Sequence, residues 1–157
     1  MTKYETEIFY IDSESLHDLE SAIKRVIELE DGWINVEPAV DEDDQNEVPG
    51  FFAWFSARGP KVPVGTFVPG NKQNFASVGI AHGSGRGASD QLEELGIKPP
   101  ESWISRQDHA KHGLVWEISP SHIVPSEVVS MILQGTVGLS TVPTTGGWTA
   151  ILHCPPE

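Results

Sequence analysis

The chain has 157 residues, a length that fits one domain and can bury a core without disulfides or metals to staple it. Hydrophobic residues make up 38%, fifteen glycines lift the apolar share to the globular norm, and five Trp and six Phe exclude a disordered chain, which is poor in aromatics. The net charge of −13 argues against a nucleic-acid binder, which needs a basic stripe to displace counterions.

The charge is unevenly placed. Residues 1–50 hold fifteen carboxylates against Lys3, Lys24 and Arg25, a balance of −12, whereas residues 51–157 come to −1. Residues 48–89 contain no Asp or Glu but four basic side chains, Arg58, Lys61, Lys72 and Arg86. Such asymmetry bears on partners rather than on fold. It points to a basic protein partner met through the acidic first third, with Asp41, Glu42, Asp43 and Asp44 as its densest part. The single cysteine, Cys154, excludes an internal disulfide. The start "MTKYETEIFY" lacks a signal-peptide pattern, and no apolar run approaches the ~18 residues of a membrane span, so the reading is a soluble cytoplasmic protein.

In chain order, "YETEIFYI" (Tyr4 to Ile11) is rich in aromatic and β-branched residues and predicts a strand. Asp12 and Ser13 offer capping oxygens ahead of a helix over 14–30, whose Leu16, Leu19, Ile23, Val26 and Ile27 form one apolar stripe, with Gly32 as a stop. "WINVEPAV" alternates and predicts a second strand, and "FFAWFSA" predicts a strand covered on both faces. Residues 59–74, with Pro60, Pro63 and Pro69, read as an irregular excursion. A strand over 75–81, a glycine-rich loop and a short helix ending at Gly96 follow, then a proline-bound connection and a strand over 114–119. Pro125 suits the first position of a helix running to Gln134 and stopped by Gly135, and a strand over 147–153 closes the chain. The order predicts a single α+β domain over residues 1–157: a sandwich of a mixed or mostly antiparallel sheet with two main helices and one short one. Its last β-α-β unit could form a parallel crossover.

The chemical candidates are few. The loop His82, Gly83, Ser84, Gly85, Arg86 and Gly87 lies between a strand and a helix, the order in which proteins cradle phosphates. It lacks the Lys-Ser/Thr of a Walker loop, and the short helix and "IKPPESW" after it do not continue a dinucleotide fold. Two readings remain: an anion site of backbone amides with Arg86, or a sharp turn whose glycines take positive φ at more than one position. "QDHAKH" groups Asp108, His109 and His112 but supplies only the beginning of a metal site, so its histidines read as solvent-facing loop residues. "DEDDQNE" lacks the glycine and glutamate of a calcium loop, and Cys154 lacks an activating base. Trp54 and Trp103 could anchor an interface but fit a core as well. No cofactor or metal is expected. A non-enzymatic interaction protein and a small enzyme or ligand-binding domain using the glycine loop are the two functions in play, and the first is favoured.

Overall fold

The computed structural model describes residues 3–45 and 59–156. Over these residues the architecture is an α+β sandwich of seven strands under three helices. In chain order these are β1 (Glu5–Ile11), α1 (Leu16–Leu29), β2 (Trp33–Val40), β3 (Val64–Val68), β4 (Ala76–Ala81), α2 (Ala88–Glu94), β5 (Ile104–His109), β6 (Gly113–Ile118), α3 (Pro125–Gly138) and β7 (Thr144–Cys154). The sheet order is β1-β7-β2-β3-β4-β6-β5, and every neighbouring pair is antiparallel. Each helix therefore joins two strands that run the same way without touching. The crossover by α1 passes β7, that by α2 passes β6, and that by α3 passes β2, β3 and β4.

The three helices form one layer, because α3 touches both α1 and α2. Beneath them the strands turn one set of alternate residues inward: Ile34 and Val36, Phe67, Val78 and Ile80, Leu114, Trp116 and Ile118, Ala150 and Leu152, all buried. Helix α1 seals its end of the layer with Leu19, Ala22, Ile23 and Val26, while Leu16 at its start remains 40% exposed. Its entry is set by Asp12, whose carboxylate accepts the Glu14 N–H and the Ser15 hydroxyl; the Glu14 bond chiefly holds its pKa below the ordinary aspartate value.

Four sequence readings need correction. Residues 59–74 are not wholly irregular, since they contain β3, bracketed by Pro63 and Pro69, which lack the amide a ladder needs. Asp108 and His109 are not in a loop: they end β5, an edge strand whose side chains are mostly exposed and which therefore needs no apolar alternation. Gly135 does not stop α3, which continues to Gly138. A Cβ at Gly135 would lie 2.5 Å from Ile80 Cδ1, so this glycine lets helix and sheet approach. The last strand begins at Thr144 rather than 147. Trp103 lies in the core at 6% exposure. The strand expected over 51–57, and Trp54 in it, lie outside the described residues.

Candidate functional site

The glycine loop closes on itself. Gly85 and Gly87 have φ of 89° and 74°, so a reversal using positive φ at two positions is present. Gln91 reaches back from α2, and its amide donates to the carbonyls of Ser84 and Arg86, each at 3.2 Å. At the root, His82 is fully buried; its Nδ1 accepts the Ser84 amide at 3.3 Å and lies 3.0 Å from Ser84 Oγ. An Nδ1 that accepts places the neutral ring's proton on Nε2, a buried atom with no hydrogen-bond partner among the described residues. Gly83 is buried against the backbone of Gly59 and Pro60, and Arg86 is exposed with no ion pair among the described residues.

Asp108, at the end of β5, joins this cluster. Its carboxylate accepts the Ser89 amide at 3.4 Å and its charge acts on His82. Sequence treated the glycine loop and "QDHAKH" as separate candidates, and the crossover by α2 brings them together. His109 does not join: its Nδ1 accepts the amides of Lys111 and His112 and its ring stacks on His112 at 4.6 Å, which shapes the β5–β6 turn. No group of three or more His, Cys, Asp or Glu that could hold a metal occurs among the described residues.

Two predictions test the loop. Burial lowers the pKa of His82 below the ordinary histidine value of 6.5, and Asp108 opposes this in part. The unfolded chain therefore takes up the proton first. The contribution of His82 to stability is complete above 6.5 and is lost as pH falls from there toward the lowered value. An NMR titration should place the His82 imidazole below 6.5; a value above it would contradict the burial. The internal closure of the loop further predicts that Arg86→Ala is silent and that millimolar phosphate leaves the melting temperature unchanged. A phosphate-dependent rise, lost in Arg86→Ala, would reveal an anion site.

A second region gathers on the sheet face opposite the helices, which no described helix covers. Here the strands present their other alternate residues, and the register aligns them into rows. One row runs Ile8, Ile151, Asn35, Thr66, Gly79 and Val115; another includes Tyr10, Thr149 and Glu37. The absence of a side chain at Gly79 and the small Ala81 deepen the face into a hollow of about 640 Å³, bordered by Asn35, Glu37, Val64, Thr66, Thr149 and Ile151. Lys111 and His112 stand on the opposite rim.

A polar chain crosses this face. The Thr66 hydroxyl donates to Asn35 Oδ1 at 2.9 Å, which turns the Asn35 amide nitrogen toward His153 Nε2 at 3.5 Å. His153 then offers its Nδ1 proton to Thr6 Oγ1, 3.3 Å away, with its ring stacked on Trp33 at 4.5 Å. Burial lowers the pKa of His153, which favours this neutral form. Glu37 stands apart from the chain. No described residue pairs with or hydrogen-bonds its carboxylate, and desolvation raises its pKa above the ordinary glutamate value.

The acidic residues singled out by sequence lie nearby in the fold. Strands β1 and β2 run the same way, so Asp12 after β1 and Asp41, Glu42, Asp43 and Asp44 after β2 leave the same end of the sheet. Glu42–Asp44 form one 3-10 turn, and all but half-buried Asp44 are exposed. Sequence reasoning missed Asn35, Glu37, Thr66 and Thr149. The available signal was the pair of polar residues at alternate positions of "WINVEPAV", which marks a second face but not what lies on it. Among the described residues no helix is long and apolar enough to cross a membrane. No family model, no curated protein and no solved structure matches this chain.

Proposed function

We propose that the chain is a non-enzymatic binding protein whose open sheet face receives a cationic group of a basic protein partner, with Glu37 as the acceptor. The observation that carries this reading is the carboxylate of Glu37. It lines a hollow, is exposed to an incoming partner, lacks any partner among the described residues, and is still desolvated enough for its pKa to rise above the ordinary glutamate value. A guanidinium or ammonium brought by a partner would favour the ionised carboxylate and pair with it. Asp41, Glu42, Asp43 and Asp44 at the same end of the sheet would attract the partner from a distance, an effect that salt screens. Lys111 on the far rim orients the arrangement, since a cation would settle toward β2 and β7 rather than toward β6.

The test uses defined peptides and calorimetry, with the backbone amide and indole NMR signals of Trp33, which lies on the open face, as the local report. A hexa-arginine peptide should bind, more weakly as salt is raised, while a hexa-glutamate peptide should not. Binding of neither peptide, or of both alike, would overturn the reading.

A further inference from the structure

We propose that the free edge of β1 is where the partner docks, by adding an extended segment of its own to the sheet as an eighth strand. The inference rests on the basic-partner reading above and names how that partner is held.

The two edges of the sheet differ. The β5 edge is guarded: its register with β6 shifts between Ser105 and Gln107, and it carries Arg106 and Asp108, Arg106 being paired with Glu117 at 3.3 Å. A bulge of this kind discourages further pairing, and it is what sets this edge apart, since charged side chains stand on both edges. The β1 edge has neither a bulge nor a proline or lysine. It pairs with β7 through seven consecutive residues without a shift, and no described strand lies on its outer side. It also leaves apolar surface in water, with Ile8 61% and Tyr10 78% exposed.

Strand alternation specifies the occupant. Thr6, Ile8 and Tyr10 lie on the open face, whereas Glu5, Glu7 and Phe9 lie on the helix side. Glu7 borders a groove there together with Asp18 and Arg25. A strand laid along β1 gains affinity from backbone hydrogen bonds and specificity from alternate side chains. Side chains over the open face would meet Ile8 and Tyr10 and should be apolar. Those on the other side would meet Glu5 and Glu7 and should be basic. A second copy of this chain fits poorly, because it would bring Glu5 and Glu7 of two molecules, each of net charge −13, to one edge. The occupant is therefore a partner segment that alternates basic and apolar residues.

The probe is a capped octapeptide of alternating lysine and valine. Calorimetry should show binding that weakens at least about fivefold in the Glu5→Gln/Glu7→Gln double variant and in Ile8→Lys, both at exposed positions. Hydrogen exchange should show added protection at the amides of β1. N-methylation of one alternate set of peptide amides should abolish binding, and methylation of the other set should spare it. Glu37 stands two strands in from the edge, so Glu37→Gln should change this affinity less than about twofold. Equal binding of the parent and both methylated peptides would overturn strand addition. Sensitivity to Glu37→Gln but not to the double variant would overturn it while leaving the basic-partner reading intact. Failure of the peptide to bind the parent chain would overturn strand addition, and hexa-arginine then decides the reading beneath it. A dimer in sedimentation that Ile8→Lys dissociates would give the edge to a second copy and overturn the proposal.

Discussion

Phe67→Ala should destabilise the protein by about 3–5 kcal/mol, the usual range for emptying a buried aromatic site. Phe67 is fully buried in the middle strand of the sheet, paired with Ile34 on one side and Val78 on the other. Helix α3 covers this strand and lies close to it. A Cβ at Gly65, two residues before, would come 2.7 Å from Ile132 Cγ2. The cavity left by the phenyl ring is therefore bounded by strands on both sides and a helix above, none of which can collapse freely into it. Urea unfolding measures the loss directly. A value below about 1 kcal/mol would mean that α3 does not cover the centre of the sheet.

Gly113→Ala should be nearly as damaging for a backbone reason. Gly113 opens β6 at φ 82°, and a Cβ there would lie 2.4 Å from the Ile80 carbonyl oxygen of β4. The left-handed conformation costs an alanine about 1–2 kcal/mol, and the clash adds about 1–3 kcal/mol because the obstacle is backbone in the sheet. Gly85→Ala provides the comparison. Its φ of 89° carries the same conformational cost, but nothing lies within 4 Å of the new Cβ, so only about 1–2 kcal/mol should be lost. Equal losses in the two variants would show that β4 and β6 do not approach as closely as described.

What could be read from sequence follows from how each element meets solvent. Strand β2 and helix α1 are half-buried, so their patterns announce them: Ile34 and Val36 alternate with polar residues, and Leu19, Ile23 and Val26 recur at helical spacing. Strand β3 was hidden because Gly65 stands where alternation calls for a large residue, a gap needed by Ile132 and Thr136 above it. Strand β5 was hidden because an edge strand with mostly exposed side chains carries no apolar alternation. Gly135 misled in the opposite sense, since a glycine used for close packing looks in sequence like one used to end a helix.

The open face was legible only in part. Asn35 and Glu37 occupy the polar positions of an evident strand, but a strand does not disclose which of its faces the helices will cover. That depends on all three crossovers packing on the same side. The neighbours of Asn35 are also remote in the chain: Thr66 lies 31 positions away and His153 lies 118. Their convergence depends on the last strand inserting between the first two. The acidic skew of the first third, by contrast, was plain in the composition, and the fold places Asp41, Glu42, Asp43 and Asp44 at the end of the sheet nearest Glu37.

The claim that Glu37 is a recognition group is tested most directly by the affinity of hexa-arginine for the parent chain, for Glu37→Gln, and for Glu94→Gln at the exposed end of α2. Removing one charge that meets a partly solvated cation should cost about 1 kcal/mol, or roughly fivefold in affinity. Glu37→Gln is therefore expected to weaken binding by about that factor while retaining full stability, and Glu94→Gln to bind like the parent. Equal affinities for all three proteins would contradict the assignment of the open face as the binding site.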